Sequence, residues 1–432
     1  MGLLKSQLVT LSGGSTNSPV DPNLTLDLEF SSMTALPASV TFTRTSIGTY
    51  FDTNGVLQTA LANAARFDHD PVTLEPLGLL IEEARTNLQR YSQDFSQWPP
   101  TNCTKAPAAA LDGTTSATEI IPNNTVNNHK LDGQTSTVDT TSTYTLSFYA
   151  KKGAANFVSL SMAGAYNYCA WNLDTGTLAG NGTPWTNPGI QACGNGWYRC
   201  YVNGIFNGTT VTTQIYAALT VAAAGQPNSA AGDGVAPWIT IWGAQIELGA
   251  FPTSYTPTTT AAVVRAADNA RMTGVDFSSW YDPLKGTVLI KAQALINPAY
   301  PAVWAIGKGA GLGSMLLSQG SPNGRLLGEL RDDSGASQVS FFSGVTLSDR
   351  QPFLAALAYA TNDAGFAVNG VSMTRDNSVI VPTGMLSMSL GNKLAAQASA
   401  GAFDTTRIAF LKYWNVAKTD AELQEITNPT KY

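Results

Sequence analysis

The aromatic side chains Tyr166, Tyr168, Trp171, Trp185, Trp197, Tyr198 and Tyr201 lie close together in the sequence, interleaved with Asn167, Asn172, Asn181, Asn187 and Asn195. Flat rings accept the apolar C–H face of a sugar, and side-chain amides donate to and accept from its hydroxyls. Such a mixture in Gly-, Asn- and Pro-rich loops therefore has the chemistry of glycan binding. The candidate contacts are Trp185, Trp171, Tyr166, Tyr168, Trp197 and Asn187, with Trp185, between Pro184 and Thr186, as the foremost stacking platform. Each ring has packing as its alternative, because sandwich cores also use Trp and Tyr, and Trp238 and Trp242 are read as core.

Bond-breaking chemistry finds little support. Glycan hydrolysis needs two carboxylates converging on one bond, and the E-x-D-x-E alternation that would place them on one strand face is absent. There is no G-x-S-x-G elbow and no phosphate loop, and His69 and His129 offer few options for an imidazole base. No catalytic residue is expected. Asp68, His69 and Asp70 are consecutive, but neighbours on a strand point to opposite faces and cannot all hold one ion. Ion pairing is the better expectation, with Arg66 nearby and Arg265 and Asp268 as distant partners. Calcium is conceivable at Asp332, Asp333 and Asp363, but their spacing does not select it, and no cofactor is expected. Cys103, Cys169, Cys193 and Cys200 form no C-x-x-C pair and read as free, mostly buried thiols.

The elements that must position these residues are strands. In 432 residues there is room for two or three cores. Hydrophobic residues make up 44% of the chain, with 39 glycines and 22 prolines, which argues for a folded, turn-rich β protein. Charged residues are only 12%, so the surface must be built largely from Thr, Ser, Asn, Gln and Gly. A net charge of -6 supplies no basic footprint for nucleic acid or an anionic membrane, and no apolar run suits membrane insertion.

Residues 1–23 read as an arm, and residues 42–88 as two hairpins. Asn54-Gly55 suggests a two-residue type I′ turn, and Pro76 and Gly78 bracket a second turn. Two hairpins alone cannot stand in water, so this segment must add its strands to another domain or subunit. Residues 89–258 alternate apolar and polar positions in short runs, as in Tyr144, Leu146 and Phe148, and form a first β-sandwich. Residues 259–276 read as a linker, and residues 277–432 as a second sandwich with an Asn369-Gly370 hairpin and a Thr419–Glu422 capping box. The fold class is all-β: two β-sandwich (jelly-roll) domains preceded by an arm and a β-hairpin segment.

The runs RTSIGTYFDTNGVLQTA, ARFDHDP and GLLIEEARTNL resemble a segment of tailed-bacteriophage structural proteins, among them tail fibres, tail spikes and head-fibre or capsid-decoration proteins. WGAQIELGAFPTSYTPT, followed by Arg265-Ala266-Ala267-Asp268, resembles the end of a carbohydrate-binding-module-like jelly roll in such proteins, and residues 401–426 the close of a concanavalin- or laminin-G-like sandwich. The resemblance implies a virion protein that docks on other virion proteins through residues 1–88 and meets host-surface glycan with its sandwiches. It also implies a homo-oligomer, with a trimer as first guess. A purely structural decoration or connector protein is the alternative, and a depolymerase a third.

Overall fold

Alternation of Tyr144, Leu146 and Phe148 puts three large side chains on one strand face, and in the computed structural model all three are buried on the strand Thr143–Lys152. The structure describes residues 21–163, 168–294, 302–308, 312–319, 324–348, 350–392 and 406–432. In the middle sandwich one sheet runs in the order Thr186–Ala192, Trp197–Ile205, Thr143–Lys152, Ile239–Leu248, Ala117–Pro122, Cys103–Ala108. The opposing sheet runs Thr177–Asn181, Tyr168–Asn172, Phe157–Met162, Thr210–Ala218, His129–Thr137, Pro100–Thr101. All pairings between these strands are antiparallel, and Leu146, Phe148, Leu160, Val202, Ile215 and Ile241 fill the space between the sheets.

The second sandwich is built from distant parts of the chain. One sheet runs Val371–Ser372, Asp363–Val368, Pro352–Ala360, Lys285–Ala294, Thr406–Trp414, Pro76–Ile81, Phe67–His69, with Leu24–Leu28 also paired to Thr406–Trp414. The other runs Thr41–Thr43, Asn269–Thr273, Ser387–Leu390, Ala302–Gly307, Ser314–Gln319, Leu326–Arg331, Ser337–Phe342. Four strands before residue 88, Leu24–Leu28, Thr41–Thr43, Phe67–His69 and Pro76–Ile81, thus find their recipient within the same chain, and Leu79 and Ile81, fully buried, join Val288, Ile290 and Phe366 in its core. A short hairpin has no second layer to bury such residues against; an existing sheet supplies one. The stretch 259–276 is likewise not free: Val263–Arg265 pairs with Arg85–Asn87, and Asn269–Thr273 lies inside a sheet.

Turn chemistry separates two Asn-Gly pairs that look alike in sequence. Asn369 and Gly370 both have positive φ, 49° and 81°, and Val368 pairs directly with Val371, so this is a two-residue hairpin turn. At Asn54-Gly55 the type I′ expectation fails. Phe51 pairs with Leu57, leaving a five-residue loop, and only Gly55 has positive φ. The Asp52 carboxylate accepts from the backbone N–H of Asn54 and Val56, at 2.8 and 3.0 Å, and so organises the wider loop. Pro76 and Gly78 do not bracket a turn either; both sit in the strand Pro76–Ile81, and Asp70 caps the turn before it. Gly78 is required there, since with φ 91° a Cβ would fall 2.0 Å from the Ile408 carbonyl oxygen.

The C-terminal helix Asp420–Ile426 starts with the expected capping box, Thr419 and Glu422 each bonding the other's backbone N–H, and seats Leu423 in the sheet. Thr419→Ala is expected to lower stability by about 1 kcal/mol, measured by urea unfolding. An unchanged midpoint would show that Leu423 alone holds the helix.

Candidate functional site

Among the described residues, the rings singled out by sequence do not form a surface platform. Trp171 is fully buried and meets Phe148 edge-on at 5.8 Å between the two sheets of the middle sandwich. Trp185 is 7% exposed and packs edge-on against Phe206 at 6.2 Å, over Gly204, where a Cβ would sit 2.8 Å from the indole. Trp197 is buried with Tyr149, Trp242 and Tyr255 on the outer face of the first sheet, beneath Leu57 and Phe51 of the first hairpin. Asn187 is exposed, with φ 45°, at the start of an edge strand and apart from these rings. Tyr166 and Asn167 lie outside the described residues. Among the described candidates, Tyr168 alone is a half-buried ring on an outward sheet face.

What surrounds Tyr168 follows from the covering of the sandwich. The outer face of the first sheet is occupied by the hairpin Gly48–Ala60 and by Tyr255. On the opposing sheet, alternation sends Leu131, Ile215, Leu160 and Cys169 inward and their neighbours outward. Cross-strand register then sets Asp132 beside Gln214, Gln214 beside Ser161 and Ser161 beside Tyr168, a single polar row across four strands. Gln214 Nε2 donates to Asp132 Oδ1 at 2.6 Å, while its Oε1 accepts from Ser161 Oγ and from Tyr216 Oη, both at 3.0 Å. Lys130 Nζ binds Asp132 at 2.8 Å and lies 5.8 Å from the centre of the Tyr216 ring. Tyr168 meets Tyr216 edge-on at 5.5 Å. Burial pushes the Tyr216 phenol up, so it stays a donor at neutral pH.

This arrangement brings an ammonium, a carboxylate, an amide and two phenols together across four strands, with Ser161 and Tyr216 buried and Lys130, Asp132, Gln214 and Tyr168 partly exposed. Such a row meets a polyhydroxylated ligand with both donors and acceptors. Residues Lys130, Asp132, Ser161, Gln214 and Tyr216 escape a reading that looks for clustered aromatics, because they come from three separated strands. Their signal in the sequence is polar alternation within each strand, which any solvated face would share.

The acidic positions considered for calcium are committed elsewhere. Asp332 caps its own turn, Asp333 pairs with Lys308 at 2.7 Å, and Asp363 pairs with Arg375. Among the described residues no three His, Cys, Asp or Glu side chains gather as a metal site. Cys103, Cys169, Cys193 and Cys200 are free and buried, and burial pushes the Cys103 thiol up to about 11 and those of Cys169 and Cys193 up to about 12.

Where the hairpins meet the stretch 259–276, the expected charged knot exists in a larger form. Asp268 takes Arg44 on Oδ1 at 2.9 Å and Arg66 on Oδ2, and Glu82 Oε2 takes Arg66 at 2.7 Å, with Arg265 at 3.5 Å. None of the five is more than 2% exposed. Asp68, however, pairs with Arg407 of the second sandwich at 2.6 Å. Burial alone would raise the Glu82 carboxyl, but Arg265, Arg66 and the bonds from Ser254 hold it well below the usual carboxylate range. A carboxyl depressed on folding stabilises fully above its unfolded pKa, and that contribution is lost as pH falls. Thermal midpoints are therefore expected to drop between about pH 5 and 3, and to drop less steeply in Glu82→Gln. Equal slopes in the two proteins would remove Glu82 from the acid response.

No protein-family model matches this sequence, and no curated protein sequence matches it. Partial likenesses exist among solved structures. The carbohydrate-binding module CBM40 of the Ruminococcus gnavus IT-sialidase, bound to α2,3-sialyllactose, aligns with TM-score 0.31 and 18% identity over 35% of this chain and 87% of that one. The NanB sialidase of Streptococcus pneumoniae aligns with TM-score 0.30 and 14% identity over 35% of this chain and 26% of that one. Domain 4 of AbnA, a Geobacillus stearothermophilus arabinanase, in complex with arabinotriose, aligns with TM-score 0.30 and 11% identity over 42% of this chain and 84% of that one.

Proposed function

We propose that this chain is a non-catalytic glycan-binding protein whose contact surface is the part of the outer face of the middle sandwich around Gln214, where Lys130, Asp132, Gln214 and Tyr168 are partly exposed. The observation that carries the proposal is the in-register row Asp132, Gln214, Ser161 and Tyr168, mutually hydrogen-bonded or aligned across four strands. Orientation before binding lowers the cost of ordering these side chains on a ligand. In the finer form of the proposal, suggested by the sequence resemblance, the protein is a tailed-bacteriophage fibre- or spike-type attachment protein. It would dock on the particle through residues 1–88 and act as a homo-oligomer, a trimer at first guess, so that weak single contacts add by avidity.

The test is a glycan array with the full chain, followed by titration of the best ligand against Gln214→Ala and Tyr168→Ala. Each substitution is expected to weaken binding about tenfold while leaving the fold intact. Binding unchanged in both variants would move the site off this face. A second reading, a structural decoration or connector protein without glycan binding, is favoured by the burial of Trp171, Trp185 and Trp197. Silence of the folded protein across the array would select it.

A further inference from the structure

A cavity of about 210 Å³ lies where the first and second hairpins, the covered face of the middle sandwich and the second sandwich meet. It shares no lining residue with the Gln214 row. Its carboxylates are already engaged. Asp68 accepts from Arg407 and from the Phe51 N–H, Asp70 caps its own turn through the N–H groups of Val72 and Thr73, and Glu82 belongs to the charged knot. The cation Arg199, also in the lining, is in a different position.

Arg199 is only 7% exposed, yet no carboxylate lies within ion-pairing distance of it among the described residues. Its Nη1 donates to the Thr253 carbonyl at 2.6 Å and its Nη2 to Ser147 Oγ at 2.9 Å. Its Nε is buried without any protein acceptor. The guanidinium also lies 5.4 Å from the centre of the Tyr149 ring, which holds it in place. A buried guanidinium whose bonded partners are all neutral is costly unless an anion completes its shell, and each of its Nη groups carries a second N–H beyond the bond described. Arg407 and Arg350 also line the cavity, and Arg350 reaches Gln191 of the middle sandwich at 2.9 Å.

We propose that this cavity is a binding site for a small oxyanion, a phosphate, sulfate or carboxylate group, with Arg199 as its principal contact. The space is large enough for one such group with a few waters. Because the cavity walls come from both sandwiches and the hairpins, an occupant stiffens their junction.

The experiment is isothermal titration calorimetry of the full chain with inorganic phosphate, and separately with acetate, against sodium chloride at matched ionic strength. A saturable one-site isotherm is expected for at least one oxyanion, weakened at least about tenfold in Arg199→Gln. The phosphate and acetate arms distinguish a tetrahedral oxyanion from a carboxylate. No saturable heat with either anion overturns the proposal and leaves the cavity to water. Equal binding in the wild type and Arg199→Gln also overturns it, since the anion then sits elsewhere. Circular dichroism checks that the variant folds. If it does not, Arg350→Gln replaces it, with the same weakening expected and unchanged affinity counting against the site.

Discussion

Asp268→Asn is expected to destabilise the protein by about 3–5 kcal/mol, read as a large drop in the urea midpoint, because it leaves buried cations without their counter-charge. Asp268 is fully buried and serves three donors: Arg44, Arg66 and the Glu82 backbone N–H at 2.8 Å. With the substitution, three arginines face Glu82 alone, and the excess charge of the knot rises from one to two. The knot ties residues 44–82 to residues 265–268, so its loss frees the segment that lends strands to the second sandwich. A loss below about 1 kcal/mol would mean that water reaches the cluster and screens it as it screens a surface pair. Replacing Arg66 and Asp268 together by apolar residues should be milder than Asp268→Asn, since the excess positive charge then stays at one instead of rising to two, although Arg44 loses its carboxylate partner.

Trp185→Ala is expected to cost about 3–5 kcal/mol of stability, the ordinary result of emptying a large core position. Its indole rests on Gly204 and meets Phe206 in the core of the middle sandwich. In protein that remains folded, glycan affinity should be unchanged, because the outer-face row Asp132, Gln214, Ser161 and Tyr168 belongs to the other sheet. Full stability together with lost glycan binding would reverse both assignments and restore Trp185 as a platform.

The contrast between these two positions shows what was legible. Trp185 sits in a Gly-, Asn- and Pro-rich stretch, which is a sound sign of a turn but silent on where the side chain goes. The loop folds its ring back into the sandwich, and the room for it was made by Gly204, some twenty residues away. The two Asn-Gly pairs teach the same lesson on a smaller scale. Asn369-Gly370 forms the two-residue turn that its residues favour, whereas the Asp52 side chain captures the backbone ahead of Asn54-Gly55 and widens the loop. The charged knot was partly visible, since Arg66, Arg265 and Asp268 stand out in a chain with so few charges. Arg44 and Glu82 had no such mark, because a lone charge in sequence carries no sign of burial.

By itself the sequence determined the all-β class, the position of most strands and the parity of their faces, because period-two alternation and turn chemistry act over a few neighbouring residues. It also determined that the hairpins of residues 42–88 needed a host. Only the tertiary structure decided which host, and which of the outward faces would be covered. Trp197 and Arg199 share the outward face of one strand, as Gln214 and Tyr216 share that of another. The first face is closed by a hairpin from more than a hundred residues earlier, while the second carries a hydrogen-bonded polar row. Covering is a long-range event between surfaces, and local pattern records a side chain's face without recording what packs against it.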